Sequence, residues 1–204
     1  GVEYTGSILD LSTTAAMPED DVTCTVLVVD DAGETAEGSA VLTLNNRQPM
    51  LSNSTISPSS AYTNSDVVCT TTATDDDGET LSPVYTWSVG GTAIGTGGVL
   101  TLTSSLVSVG DTLTCDIDVS DGYGGVATDT ASIIIGNTAP TLNNLSLDNT
   151  TPKKQDAVVC SASADDIDGE ILSYTFSWSN QSTQVVYPAT QSTSDTSTLD
   201  LSSL

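Results

Sequence analysis

The sequence predicts an all-β protein built from repeated β-sandwich units. Thr, Val and Ile, which favour strands, are abundant, whereas the helix formers Lys, Arg, Gln and Glu are sparse. Apolar and polar residues alternate along DTLTCDIDVS (111–120). An alternation with a period of two is typical of a half-buried antiparallel strand. Six or seven such short segments within about 90 residues indicate a sandwich of two sheets.

The second observation is an internal repeat of 91 residues, the distance between Cys24 and Cys115 and also between Cys69 and Cys160. On this spacing, residues 47–137 form one complete repeat, and residues 1–46 align with the C-terminal half of a preceding repeat. Residues 138–204 align with the N-terminal part of a further repeat. Two interpretations stay open. The chain is a window on a longer array, or its two partial repeats complete each other between molecules, head to tail, and build a fibre.

Charge and composition exclude several function classes. The chain has 27 acidic residues, three basic residues and no histidine, for a net charge of −24. Nucleic acids and anionic lipid headgroups are therefore not expected partners, since both are bound through Lys and Arg. Catalysis by Ser–His–Asp or Cys–His groups is excluded, and we expect no enzyme activity. No apolar run reaches the roughly 20 residues that span a membrane.

Three segments resemble the PKD-like and Ig-like repeats of large bacterial surface and fibre proteins. They are VSDGYGGVATDTASIII (119–135), NTAPTLNNLSL (137–147) and ADDIDGEILSYTFSW (164–178). The chain departs from the PKD motif at YTWSVGG (85–91), where Trp-Asp-Phe-Gly-Asp-Gly is expected. The resemblance implies tandem Ig-like sandwiches in an extracellular stalk, fibre or filament, which usually serves spacing or adhesion and seldom catalysis.

The four cysteines fall into two classes. Cys69 and Cys115 lie at core-facing positions of segments that flank Trp87. The resemblance to an Ig-like sandwich implies a disulfide between them, and two buried free thiols are the alternative. Cys24 and Cys160 have no partner at the matching repeat position, so they pair with cysteines of missing halves or bridge successive molecules. Disulfides would place the protein outside the cytoplasm, either secreted or on the cell surface.

A short acidic loop occurs in both repeats and suggests a cation site. Asp residues alternate ahead of a glycine, and an Ig-like arrangement brings a further Asp to the same end of the sandwich. The candidate ligands are Asp75, Asp77, Asp121, Asp166 and Asp168. A hard cation such as Ca²⁺ takes about six to eight oxygens from flexible loops. The alternative is a plain acidic turn, because Asp and Gly are good turn formers.

The predicted function is that of a structural repeat segment whose partners are neighbouring repeats or further copies of the chain. One alternative is an adhesive module for carbohydrate or protein, with its specificity in the loops or in the insert Ser179–Ser197. Another is an accessory domain of a secreted enzyme. Glycosylation sequons occur at Asn53, Asn144, Asn149 and Asn180.

Overall fold

The computed structural model describes residues 5–6, 8–179 and 186–201, which form one 3₁₀ turn, Leu11–Thr13, and fourteen β-strands. The strands are β1 Asp21–Val29, β2 Thr35–Thr43, β3 Met50–Ser57, β4 Asp66–Thr74, β5 Val84–Val89, β6 Thr92–Thr96, β7 Val99–Thr101, β8 Thr112–Ser120, β9 Val126–Ile134, β10 Thr141–Leu147, β11 Ala157–Asp165, β12 Tyr174–Ser179, β13 Val186–Ser192 and β14 Thr196–Asp200. The predicted all-β class is therefore confirmed.

The strands form five sheets, with the orders β1-β2, β3-β4-β7, β6-β5-β8-β9, β10-β11-β14 and β12-β13. The pairs β1–β2, β3–β4, β5–β6, β10–β11, β11–β14 and β12–β13 are antiparallel. Several small antiparallel sheets are consistent with a β-sandwich. In sequence, β1 and β2 align with β8 and β9, and β10 and β11 align with β3 and β4.

The strand β8 shows why this sequence forms a half-buried sheet. Its alternate side chains Leu113, Cys115, Ile117 and Val119 are buried, while the residues between them are exposed or half-buried. Successive side chains of a strand point to opposite faces, so the apolar half of the pattern packs inward and the Thr and Asp residues stay hydrated. The alternation therefore predicts this strand and its buried face correctly.

The described residues divide between two compact units. Those within Gly1–Ser57, Val68–Leu100 and Thr114–Ser132 form the first unit, and those within Pro58–Val67, Thr101–Leu113 and Ile133–Leu204 form the second. In the first unit, Trp87 is fully buried and its indole N–H donates to the Gly97 carbonyl at 2.7 Å. In the second unit, Leu102, Leu113 and Ile135 are buried.

A disulfide joins Cys69 on β4 to Cys115 on β8, and so ties two sheets of the first unit together. It closes a loop with a sequence separation of 46 residues. In the chain-entropy account such a loop contributes about 4 kcal/mol to stability. Over the parts of the chain described above, the structure has no helix with the length and apolar character needed to cross a bilayer.

Candidate functional site

The first acidic loop follows β4 and is a tight turn organised by Asp75. The Asp77 N–H donates to Asp75 Oδ1 at 2.8 Å, and the Gly78 N–H donates to the Asp75 carbonyl at 3.3 Å. Gly78 has a φ of +88°, which only glycine adopts without strain. The local sequence therefore folds into an Asx turn that brings the side chains of alternate residues together.

The second acidic loop follows β11 and has the same internal bonds. The Asp168 N–H donates to Asp166 Oδ1 at 2.8 Å, and the Gly169 N–H donates to the Asp166 carbonyl at 3.2 Å. Gly169 has a φ of +78°. The residue between the two aspartates is Ile167 here and Asp76 in the first loop, and both are exposed. That middle position takes no part in the turn, so its chemistry is free to change.

Each loop holds the linker that leads into its own repeat. Asp77 Oδ2 accepts a 2.6 Å hydrogen bond from the backbone N–H of Arg47, and Asp168 Oδ2 accepts one of 2.6 Å from the backbone N–H of Thr138. The Arg47–Asp77 bond lies within the first unit, and the Thr138–Asp168 bond lies within the second unit. Hydrogen bonds from an N–H to a carboxylate are roughly twice as strong as neutral ones. The central aspartate is thus a linker anchor in both loops.

The second contact of this aspartate differs between the loops. The guanidinium of Arg47 forms an ion pair with Asp77 Oδ1 at 3.1 Å, and the Arg47 side chain is 65% exposed. An ion pair this exposed contributes little to stability. At the second loop, the Thr63 hydroxyl donates to Asp168 Oδ1 at 2.6 Å, with both residues buried. This hydroxyl, and then the Thr138 N–H, lower the pKa of Asp168 below its ordinary value of 3.8.

The loop between β8 and β9 adds a second anchor for the first linker. Asp121 is 8% exposed, and its Oδ2 accepts a 2.9 Å hydrogen bond from the Asn46 side-chain amide. Its Oδ1 accepts from the N–H groups of Tyr123 and Gly125 at 2.7 and 2.9 Å. The Asn46 amide, followed by these backbone groups, lowers the pKa of Asp121 below 3.8. The carboxylate therefore stays charged while it is bound on both oxygens.

Gly125 makes room for this anchor. A Cβ at this position would overlap the Asp121 carboxylate and approach Asn46 Nδ2 to 3.0 Å. The aligned loop between β1 and β2 has Glu34 at the matching position, and its N–H donates to Asp30 Oδ1 at 2.8 Å. The β1–β2 loop thus accommodates a side chain at this position. In the β8–β9 loop, the close approach of Asn46 to Asp121 requires glycine.

Two groups of three carboxylates could hold a metal ion: Asp75, Asp77 and Glu79, and Asp166, Asp168 and Glu170. Within each group one carboxylate oxygen per residue lies within 4.8 Å of the others. The sequence-predicted aspartates of each loop are therefore brought together, whereas Asp121 belongs to neither group. The glutamates are absent from the set of ligands predicted from sequence. The sequence does contain a signal for these two glutamates, because the pattern DxDGE recurs in both repeats.

The first group differs from the second in its unpaired oxygens. Asp75 Oδ2, Glu79 Oε1 and Glu79 Oε2 are shielded from solvent and have no hydrogen-bond partner. Burial, together with the nearby Asp75 and Asp77 carboxylates, raises the pKa of Glu79 above its ordinary value of 4.5. Buried acceptors without a donor are costly. A cation is the natural partner for three converging carboxylates, so the first loop fits a metal ion better.

The other sequence-predicted positions lie apart from these loops. Cys24 is exposed on β1 and Cys160 is half-buried on β11, and both are free thiols. Asn53 and Asn144 are exposed on β3 and β10, and Asn149 lies in a turn where its side chain accepts from the Thr151 N–H at 3.0 Å. Asn180 and part of the insert Ser179–Ser197 lie outside the described residues.

No protein-family model matches the chain, and a search of curated proteins gives no significant match to its sequence.

Proposed function

We propose that this chain is a structural segment of an extracellular bacterial fibre, stalk or filament, built from Ig-like or PKD-like sandwich repeats. The observation that carries the proposal is the pair of matching linker anchors, Arg47 N–H to Asp77 and Thr138 N–H to Asp168, each 2.6 Å long. The donor and acceptor recur with a spacing of 91 residues in both cases. The same joint is therefore built twice in one chain, which is what an array of spacers requires.

The nature of the bond explains how different linkers make the same joint. The donor is a backbone N–H, which every residue except proline supplies, so the linkers NRQP (46–49) and NTAP (137–140) bind alike. Anchoring the second residue of the linker to the loop of the following repeat removes backbone freedom at the joint. A linker with fewer accessible conformations is a stiffer spacer.

Disulfide and charge support the extracellular setting. The Cys69–Cys115 disulfide is typical of proteins that fold in an oxidising compartment. A net charge of −24 keeps neighbouring chains apart and soluble.

We further propose that Ca²⁺ binds the first acidic loop through Asp75, Asp77 and Glu79. Ca²⁺ prefers oxygen ligands and accepts irregular loop geometry, and this loop provides converging carboxylates with unpaired oxygens. Asp77 also anchors Arg47, so a bound cation would act directly at the joint. Asp166 and Asp168 are a weaker candidate pair, because neither has an oxygen that is shielded from solvent and unpaired, as Asp75 and Glu79 of the first loop do.

Amide hydrogen exchange tests the joint itself. We expect the N–H groups of Arg47 and Thr138 to be protected, and Asp77→Ala and Asp168→Ala to expose Arg47 and Thr138 respectively. Asp76→Ala is the matched control, because Asp76 is an exposed acid of the same loop that makes neither bond. Rapid exchange of both amides in the wild type would remove the support for an anchored joint.

Binding screens test the function. A spacer is expected to show no saturable binding on glycan arrays or to extracellular matrix proteins. Saturable binding that is lost on substitution of exposed loop residues, while the unfolding transition stays unchanged, would instead identify the adhesive module.

A further inference from the structure

Thr63 is a polar residue of a turn between two strands, and it is completely buried. The turn lies between β3 and β4 and is closed twice. The Ser65 N–H donates to the Tyr62 carbonyl at 3.1 Å, and the Tyr62 N–H donates to Ser65 Oγ at 2.8 Å. Loops normally lie on the surface, and threonine is a mostly exposed residue type. Thr63 is 0% exposed, so another part of the chain covers this turn.

The second acidic loop covers it. The Thr63 hydroxyl donates to Asp168 Oδ1 at 2.6 Å and lies 3.5 Å from the Ile167 carbonyl oxygen. A Cβ at Gly169 would lie 3.8 Å from the Ser104 side chain, which is an ordinary van der Waals distance. By the 91-residue spacing, Thr63 and Ser104 belong to the complete repeat and the three loop residues to the following repeat. All five lie in the second unit, so within this unit the loop of one repeat contacts the end of the repeat before it.

The linker between these repeats is bonded to the same turn. The Gly136 N–H donates to the Ala61 carbonyl at 2.8 Å. A Cβ at Gly136 would approach Tyr62 Cε1 to 3.1 Å, so the linker backbone lies close against the Tyr62 ring. Two residues further on, the Thr138 N–H donates to Asp168. The linker is therefore bonded first to the complete repeat and then to the following repeat.

These hydrogen bonds close a ring around the joint. One side of the ring is the turn segment 61–63, and the other side is the linker segment 136–138. The Gly136–Ala61 bond joins the segments at one end, and Asp168 joins them at the other end by accepting from both. A hinge bends by changing the backbone dihedral angles of a few residues. Any such change in this linker has to break a bond of the ring, so the joint resists bending.

We propose that the end of the complete repeat formed by Ala61, Tyr62, Thr63 and Ser104 is the docking surface for the acidic loop of the following repeat, and that the Thr63 hydroxyl holds the two repeats at one angle. The occupant is a segment of the same chain, residues 167–169, which contacts this surface directly. Domains joined by a linker otherwise move relative to each other by default. Thr63 is thus a positioning residue of the array.

The Thr63–Asp168 bond suits a positioning role because it is short, charge-assisted and shielded. Hydrogen bonds to a carboxylate are roughly twice as strong as neutral ones. Asp168 is 8% exposed, so solvent and salt screen this contact weakly. Without the hydroxyl, Asp168 would keep its bond from the Thr138 N–H, which connects two residues of the same repeat. The hydroxyl is therefore the polar group through which this carboxylate reaches the complete repeat.

Residual dipolar couplings of the full 204-residue chain, weakly aligned in solution with a chelator, test the angle. The amides of the complete repeat within residues 58–67 and 101–113 are compared with those of β10 and β11. One alignment tensor is expected to fit both groups in the wild type, because the bond between the repeats is direct. Two different tensors in the wild type would overturn the proposal, as would two tensors that merge only when calcium is added.

Substitutions of Thr63 assign the angle to its hydroxyl. Thr63→Val removes the hydroxyl and is expected to lose the shared tensor, so that the two groups of amides require separate fits. Thr63→Ser restores the donor and is expected to retain one tensor. A single tensor in Thr63→Val, or separate tensors in both variants, would overturn the role of the hydroxyl.

Ser104→Trp tests the same surface without altering the buried hydroxyl, and it applies even if Thr63→Val fails to fold. Ser104 is exposed and adjoins Gly169, so the indole is expected to shift the amide resonances of Asp168 and Gly169. Ser105→Trp is the matched control, because Ser105 is also exposed and its hydroxyl contacts Thr103. Equal shifts from both variants, or no shift from Ser104→Trp, would overturn the docking surface.

This inference rests on the proposed function, but the two can fail separately. Two tensors in a chain without a saturable ligand would overturn the fixed angle and leave the spacer role standing. One tensor in a chain that binds a ligand saturably would overturn the spacer role and leave the fixed angle standing.

Discussion

The hydroxyl of Thr63 donates a 2.6 Å hydrogen bond to Asp168 Oδ1 across a sequence separation of 105 residues. Thr63 is 0% exposed and Asp168 is 8% exposed, so this contact is one of the best-shielded polar contacts of the second unit. Asp168 simultaneously accepts the Thr138 N–H. One carboxylate therefore joins a buried threonine, its own loop and the linker, and its loss should affect all three.

Thr63→Val should destabilise the second unit, because it removes the hydroxyl while preserving the shape of the side chain. A charged acceptor that loses a buried donor weakens the folded state. We expect the melting temperature to fall by about 3 °C or more, measured by thermal unfolding. Thr63→Ser keeps the hydroxyl and is the control. Equal melting temperatures for the Val and Ser variants would show that the hydrogen bond contributes nothing.

Acid stability should depend on Asp121 and Asp168. Hydrogen bonds lower the folded-state pKa of both carboxyls below 3.8, so the unfolded chain binds protons more readily. Their contribution is fully present above pH 3.8 and is lost as the pH falls through the lower folded-state pKa. Asp121→Asn and Asp168→Asn should each reduce the slope of unfolding free energy against pH below 3.8. Urea unfolding at a series of pH values measures this slope, and a slope unchanged from wild type in both variants would contradict the prediction.

Calcium should raise the melting temperature of the wild type, because a ligand that binds only the folded state stabilises it. Asp75→Asn combined with Asp77→Asn should abolish this rise, which calorimetry with and without millimolar Ca²⁺ would measure. Asp76→Asn removes a charge from the same loop outside the carboxylate group and should retain the rise. A wild type that shows no rise excludes the calcium site.

Glu79→Gln should have opposite effects on stability without and with calcium. The pKa of Glu79 is raised above 4.5, so its contribution to stability is present below pH 4.5 and is lost as the pH rises through the folded-state pKa. At neutral pH without metal, the ionised carboxylate therefore disfavours folding, and Glu79→Gln should raise the melting temperature in the presence of a chelator. The same variant should lose most of the calcium response. If Glu79→Gln melts at a lower temperature than the wild type in chelator, the prediction that the ionised Glu79 carboxylate disfavours folding is wrong.

Gly125→Ala should release the first linker from Asp121. The added Cβ would displace the carboxylate that binds Asn46. We expect Gly125→Ala and Asn46→Ala to lower the melting temperature, and the double variant to lose less than the sum of the two, because both remove one shared contact. Strict additivity in this double-mutant cycle would show that Gly125 acts independently of Asn46.

The sequence by itself determined the all-β class, because alternating polarity reports directly on the two faces of a strand. It also placed Cys69 and Cys115 at core-facing positions. The acidic loops could be recognised from the sequence because they occur in both repeats. Within each loop, the grouping of alternate aspartates follows from a local turn of five residues whose glycine tolerates a positive φ. These features depend on neighbours in the chain, so residue order is sufficient to predict them.

Only the tertiary structure decided what the carboxylates bind. The linker donors to Asp77 and Asp168 are the backbone N–H groups of Arg47 and Thr138, which every non-proline residue has and which therefore cannot be recognised in a sequence. Thr63 contacts Asp168 across a sequence separation of 105 residues. Such contacts depend on how distant segments are brought together. For the same reason, only the structure showed that Val26 is exposed where its counterpart Ile117 is buried.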